Sequence, residues 1–470
     1  MSKSIRFNAF TMNTVGHQSP GLWTHPRDRC GDYRKLEHWT ELAALLERGL
    51  FDGVFIADVL GIYDVYGASP EAAIRHAVQV PVNDPLLIVP AMAAVTQNLG
   101  FGVTFSLTYE HPYPFARRMS TLDHLTSGRI GWNIVTGYLD SAARNLGLPK
   151  QIAHDERYDL ADEYLDVVYK LWEHSWEDGA VIRDKRAGVF TDPAKVHPIA
   201  HHGANFDVPG VHLCEPSPQR TPVLYQAGTS SRGQSFAARH AECVFMSAPS
   251  KSILKRSVDE LRAALVTAGR DANDALVYGQ MLIITAATEV AAQAKHAEYL
   301  EHINMDAALV LLSGWTGVDF SQIDPDATIE YIENDAGRTA LASFSKADPS
   351  RKWTVREAAK FIGLGGRGPV VVGSPAQVAD QLEAWIDETG IDGFNLAFAV
   401  MPETFSDMVE LIVPELQKRG RYPHSYAAGT LREKLFGRSA FLRDNHRRAA
   451  FASARINASR HGPLTVRVFD

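Results

Sequence analysis

Thr221-Pro-Val-Leu-Tyr-Gln-Ala-Gly-Thr-Ser-Ser-Arg-Gly-Gln-Ser-Phe-Ala-Ala-Arg-His240 reads as strand, small polar turn, helix. The apolar run Val223 to Tyr225 has the length of a buried strand. Ala227-Gly228-Thr229-Ser230-Ser231 makes the turn, and Phe236 to Ala241 resumes a helical spacing. Such a turn aims several backbone N–H groups and the positive end of a helix dipole at one point, with Ser230 and Ser231 adding hydroxyl donors, so it suits an anion. The plainer reading of the same residues is a helix N-terminus capped by a serine.

Outward from that unit the same rhythm recurs. Strands are predicted at Ile5 to Phe10, Phe51 to Asp58, Phe101 to Leu107, Arg129 to Thr136, Glu242 to Met246, Val277 to Ile284 and Gly393 to Phe398. Helical spacing follows each strand: Leu36 to Gly49, Asp84 to Asn98, His111 to His124, Asp155 to Trp172, Ser252 to Ala268, a helix opened by the capping box Ser374-Pro-Ala-Gln, and a last one to Arg419. Eight strand–helix units in alternation predict a (β/α)8 TIM barrel. Residues 1–420 form that single domain, with insertions at about 174–220 after strand 4 and about 287–368 after strand 7. A basic, aromatic extension, 421–470, is expected to pack on the barrel or on a partner subunit.

The composition narrows the function. The chain has 470 residues, 45% hydrophobic and 22% charged, enough to bury a large core. Its net charge of -8 argues against nucleic acid or an anionic membrane as the main partner. Cys30, Cys214 and Cys243 lie far apart without CxxC spacing, which suggests neither a zinc site nor a disulfide framework and fits a cytoplasmic protein. His111, His124 and the His197, His201, His202 cluster fit no ligand spacing, so no metal is expected.

In a barrel the strand C-termini and the loops after them form the active face. The polar residues there are His17, Gln18, Asp58, Thr104, Ser106, Asn133, Thr136, His154, Tyr158, Ser230 and Ser231, with aromatic rims in Trp23, Tyr63, Tyr109 and Tyr138. No Ser-His-Asp order, HExxH or pair of acids flanking a water stands out, which disfavours a hydrolase. A phosphate seat with neutral donors and acceptors is what a planar, phosphate-tailed cofactor needs. Gly363-Leu-Gly-Gly-Arg-Gly368 imitates GxGxxG but precedes a strand-like Val370 to Val372 instead of following one, so it is not a dinucleotide fingerprint.

Asn8 to His17, Phe55 to Tyr66, Ser120 to Thr136, His154 to Tyr158 and Cys214 to Gly228 together resemble the flavin-dependent monooxygenases of the bacterial-luciferase-like superfamily. The resemblance covers nearly the whole chain. It lies in the branch that oxidises nitrilotriacetate, dibenzothiophene sulfone, long-chain alkanes and dimethyl sulfide. The chain departs from the alkane members at Thr14, Tyr138 and Leu311, where they carry Cys, His and His. Ser313 to Phe320, Lys352 to Val355 and Gly368 to Gly373 resemble the dimethyl-sulfide members most, although Thr14 departs there too.

The resemblance implies a two-component enzyme: a separate NAD(P)H:FMN reductase supplies FMNH2, and the barrel uses it with O2 to oxygenate a small apolar substrate. It implies FMN phosphate binding at Tyr158, Gly228, Thr229, Ser230 and Ser231, with His154 beside the ribityl chain and Asp58, Thr104 and Asn133 along the ring edge. His17 is expected nearest the reacting oxygen, as an imidazole titrating near neutrality that can donate a proton and take it back. Tyr63, Tyr138 and Gln79 complete the pocket. Relatives of this kind pair through barrel helices, implying a homodimer or homotetramer. The competing readings are a deazaflavin-dependent dehydrogenase, a non-catalytic flavin-binding protein and, more weakly, a sugar-phosphate lyase or isomerase.

Overall fold

The computed structural model describes residues 3–228, 230–330, 338–345 and 351–447. Its centre is a closed parallel barrel of β1 (Arg6–Met12), β2 (Gly53–Ala57), β3 (Gly100–Ser106), β4 (Ile130–Val135), β5 (Val223–Gln226), β6 (Cys243–Met246), β7 (Leu276–Thr285) and β8 (Gly393–Ala397). Each strand pairs with its neighbours in sequence, and β8 closes on β1. The expected (β/α)8 barrel is therefore formed. The helices that position the site are α1 (Leu36–Arg48), α2 (Val89–Ala94), α3 (Pro112–Leu125), α4 (His154–Tyr169), α5 (Ser231–His240), α6 (Lys251–Thr267), α7 (Met305–Thr316), α8 (Val355–Ile362) and α9 (Pro375–Thr389).

Packing explains the pattern. On α1 the 3.6-residue spacing puts Trp39, Leu42, Ala43 and Leu46 against the sheet, all buried, and burying each large side chain contributes about 1.5–3 kcal/mol. Inside the barrel Phe10, Phe55 and Phe245 stack, with centroids 5.1 and 4.5 Å apart. Tyr225 fills the space left by Gly131, whose added Cβ would lie 3.0 Å from its ring.

Two local expectations change. The helix predicted over Asp84 to Asn98 is only α2 plus a preceding 3-10 turn, Leu86–Ile88. The Glu47 carboxylate draws off the N–H groups of Gln97, Asn98 and Leu99, at 2.8–3.1 Å, that would have continued it. The strand-like Val208 to Leu213 reduces to Asp207–Val208 paired with His201–His202, because Pro209 has no N–H to extend the ladder.

The two ends of the barrel are closed differently. At the N-terminal end the short helix Leu431–Phe436 plugs the floor, its Leu431 and Leu435 packing with Phe55, Tyr225 and Phe245. Arg432 crosses beneath it to Glu242, at 2.7 and 2.9 Å. At the C-terminal end α7 and α8 build a second apolar cluster with Tyr63, Val78, Leu139 and Phe320. Here β7 outruns the barrel, and its residues Leu282 to Thr285 pair with an added strand, Val370–Gly373. No helix among the described residues is long and apolar enough to cross a membrane.

Candidate active site

The opening stretch folds as β5, turn, α5. Ser230 is the N-cap of α5: its hydroxyl oxygen accepts from the Gly233 N–H at 3.1 Å. The serine-cap reading is thus correct, and the turn stands in front of the helix dipole. The Tyr158 hydroxyl reaches the same turn from α4. A Cβ on Gly228 would come within 2.8 Å of that oxygen and one on Gly233 within 2.9 Å, so the two glycines make its approach possible. His154 lies alongside, Nε2 at 3.4 Å from Ser230 Oγ and Nδ1 at 2.7 Å from Asp155. These groups line a cavity of about 280 Å³ that extends past Gln226 to Tyr138, Trp315 and Arg367.

Deeper in the mouth, Thr104 on β3 and Asn133 on β4 are paired in register, and Asn133 Nδ2 donates to Thr104 Oγ1 at 3.0 Å. Asn133 Oδ1 is buried without a partner, as are Ser106 Oγ and Gln226 Oε1. An unpaired buried polar atom costs about 1–3 kcal/mol. Asp58, at the end of β2, is half-buried, and desolvation with the nearby Asp84 charge pushes its pKa up to about 7.

His17 caps the aromatic column edge-on to Phe10, with ring centroids 4.4 Å apart. A chain of amides fixes its tautomer. Gln280 Nε2 donates to Gln18 Oε1 at 3.2 Å, leaving the Gln18 amide nitrogen facing His17 Nε2 at 3.0 Å. An amide nitrogen can only donate, so Nε2 accepts and the proton sits on Nδ1. Nδ1 closes no hydrogen bond of ordinary geometry, though the Phe10 backbone favours a proton there. From the other side the His17 carbonyl accepts from Gln79 Nε2 at 3.1 Å, Gln79 Oε1 accepts from Tyr63 at 3.0 Å, and the Tyr63 and Tyr138 hydroxyls lie 2.7 Å apart. Tyr138 thus joins His17 to the cavity that holds Ser230 and Tyr158.

Comparison with known proteins decides the family. The luciferase-like monooxygenase family matches residues 6–393. The chain is 53% identical over 437 residues to the dimethyl-sulfide monooxygenase of Hyphomicrobium sulfonivorans, covering 93% of this chain and 91% of that protein. It is 50% identical over 458 residues to the long-chain alkane monooxygenase of Geobacillus thermodenitrificans, covering 97% and 100%. The crystal structure of DmoA from Hyphomicrobium sulfonivorans superposes with a TM-score of 0.90 at 51% identity, over 98% of this chain and 99% of that one.

The chain belongs to the luciferase-like monooxygenases. Members of this family are flavin-dependent, and this protein is a flavin-dependent monooxygenase. The mouth of the monooxygenase fits such a cofactor: an anion seat at Ser230 and Tyr158, a cradle at Gly228 that a Cβ would fill, and the unpaired Asn133 Oδ1, Ser106 Oγ and Gln226 Oε1 matching a ring with donors and acceptors at its edge.

Most of the predicted residues of the monooxygenase converge on this mouth. Ser231 is the first residue of α5 and exposed, so Ser230 lines the cavity and Ser231 does not. Thr229 lies outside the described residues. Tyr63 is buried, not a rim residue, and Trp23 is exposed with its indole donating to the His76 carbonyl at 3.3 Å. The expectation of a His17 titrating near neutrality is corrected: burial drives its pKa down to about 3, so it is a neutral imidazole. His201, in the insertion after β4, is buried between Lys170 and Glu163. Among the described residues no group of three or more His, Cys, Asp or Glu is placed to hold a metal.

Sequence reading missed Trp315, Arg367, Gln226 and Arg157, all of which line the cavity of the monooxygenase. Trp315 and Arg367 come from the insertion after β7, outside the barrel rhythm. The only local signal was the glycine run 363–368, which does precede its strand.

Proposed function

We propose that this monooxygenase is the oxygenase component of a two-component system. It takes FMNH2 from a separate NAD(P)H:FMN reductase and, with O2, inserts one oxygen atom into a small organosulfur compound, dimethyl sulfide being the candidate that a relative's name supplies. The observation that carries the reading is one cavity in which the α5 N-terminus, Ser230 and Tyr158 form an anion seat, joined through Tyr138, Tyr63 and Gln79 to His17. Bound reduced flavin supplies the activation of O2; the chain's own residues bind, orient and shield.

Tyr158, Ser230 and the backbone at Gly228 hold the phosphate, with His154 beside the ribityl chain. Thr104, Asn133 and Asp58 set the ring edge. Asn133 Oδ1 accepts there, while Asp58, titrating near neutrality, holds or releases a proton at its carboxyl. His17 stays a neutral imidazole at the reacting end and does not act as an imidazolium. Tyr63 and Tyr138, whose pKa values burial raises, stay protonated and shield the site from water. A homodimer or homotetramer in the cytoplasm completes the reading.

Anaerobic FMNH2, then O2, with dimethyl sulfide, an alkane and a sulfone in parallel, tests it. Oxygenated product from the sulfide supports the assignment. Flavin binding without O2 uptake points to a deazaflavin-type dehydrogenase or a carrier instead, and product from the alkane alone overturns the organosulfur reading.

A further inference from the structure

A guanidinium drawn out of water needs acceptors, and this chain supplies them at the buried Arg432, Arg129, Arg220 and Arg270. Arg432 meets Glu242 and the carbonyls of Ala440, Thr221 and Pro222. Arg129 meets Thr126, Thr96, Leu99 and Ala93 at 2.7–3.2 Å. Arg220 meets Asp178 and the Trp172 and Trp176 carbonyls, and Arg270 the carbonyls of Ala238 and Asp274. Arg367 differs. Its guanidinium lies 5.5 Å from the centre of the Trp315 ring at the cavity wall. The groups that favour its charge are Tyr138 and Tyr63, with no carboxylate among them.

The position of Arg367 is tightly set. Gly366 abuts the Gln18 side chain, and a Cβ on Gly368 would come within 2.6 Å of the Gln280 carbonyl, so the loop can lie this close only with glycine there. Proton accounting sharpens the imbalance. Tyr63 gives its one proton to Gln79 Oε1, so the bond between the phenols uses the proton of Tyr138. Tyr138 is left with lone pairs only, facing the five N–H donors of Arg367 and the indole of Trp315. The surplus is of guanidinium donors, and it stands in the cavity that Tyr138 joins to His17.

We propose that Arg367 binds an acidic group on the substrate, so that this site takes a small sulfur compound bearing an oxyanion (a carboxylate, sulfinate or sulfonate) in preference to a neutral sulfide or alkane. This rests on the flavin reading above and sets aside the neutral sulfide named there as the candidate in favour of an acidic sulfur compound. Trp315 and the two phenols shape the apolar side of the pocket, and the acid end pairs with the guanidinium in the bidentate manner that Arg favours.

The test uses FMN-loaded full-length protein and calorimetric titration at low salt with (methylthio)acetate and ethyl methyl sulfide. The acid is expected to bind at least about tenfold more tightly, consistent with charge-assisted bonds to a partly buried guanidinium. Arg367→Met should abolish the preference without changing affinity for the neutral sulfide, and Arg367→Lys should keep part of it and guards against misfolding of the Met variant. Equal binding of the two probes, binding of neither, or a preference surviving Arg367→Met overturns the proposal. FMN and riboflavin affinities are measured on the same variants. If Arg367→Met weakens FMN but not riboflavin, the anion is the cofactor's phosphate and the proposal is wrong. Failure of the flavin reading shows separately, as absence of FMN binding by the unmutated protein before any probe is added.

Discussion

The two ends of the barrel use polar side chains in opposite ways. At the floor Arg432 spends its donors on Glu242 and four carbonyls, and Gln219 bridges Asp123, the Ile130 carbonyl and the Arg432 backbone. At the mouth Asn133 Oδ1, Ser106 Oγ and Gln226 Oε1 are buried with nothing to bond, and Arg367 has no carboxylate. The same chain that satisfies Arg432 and Gln219 at one end leaves those three oxygens open at the other. The difference teaches that the floor is built for stability, whereas the mouth carries a free-energy cost that a ligand offsets when it binds.

The sharpest way to break this contrast is at the floor. Arg432→Met leaves Glu242 buried and uncompensated, and should cost about 3–5 kcal/mol in urea unfolding while FMN affinity of the folded protein stays within about twofold. A large loss of FMN affinity at unchanged stability would show that the ends are not separable. Gly314→Ala probes the roof. Its Cβ would overlap the Tyr63 ring, so the variant should lose about 1–3 kcal/mol, and turnover should fall with the displaced phenol pair while FMN still binds.

At the mouth the signs reverse. Tyr158→Phe and Ser230→Ala should each weaken FMN about tenfold, near the worth of one hydrogen bond to a charged group, while stability changes by no more than about 1 kcal/mol for the lost cap. Titrations of FMN against riboflavin check this, because only the phosphate-bearing flavin should respond. The smallest effect concerns Asp58. Its folded pKa, about 7, lies above the unfolded value, so the folded state binds the extra proton and stability falls as pH rises from about 4 to about 7. Linkage caps the effect at about 4 kcal/mol; discounted for the partial exposure of the carboxyl, Asp58→Asn should stabilise at pH 8 by on the order of 1 kcal/mol and change little at pH 4, as thermal unfolding at the two pH values will show.

How far the sequence carried depends on how local each feature is. β5, the Ser230 turn and α5 were legible because strand length, small residues and helical spacing all lie within twenty positions. The Ser374 capping box was equally readable, and the Gln377 side chain does accept from the Ser374 N–H at 3.0 Å. The end of α2 was not, since it is set by Glu47, fifty residues away. Arg367 and Trp315 were missed for the same reason: they reach the mouth only because Gly314 lets α7 press against Tyr63 and the glycine run lets its loop lie on Gln18 and Gln280. His17 was found but given the wrong protonation, because its pKa follows from burial beside Phe10, which no motif encodes.

A crystal structure of this protein with FMN tests the central claim most directly. The phosphate should lie at the N-terminus of α5 within hydrogen-bonding distance of Ser230 Oγ and the Tyr158 hydroxyl, with ring or ribityl atoms bonded to Asn133 Oδ1 and Gln226 Oε1. A flavin seated elsewhere, or one that leaves those oxygens as bare as before, would contradict the view that the mouth holds its unpaired groups for the cofactor.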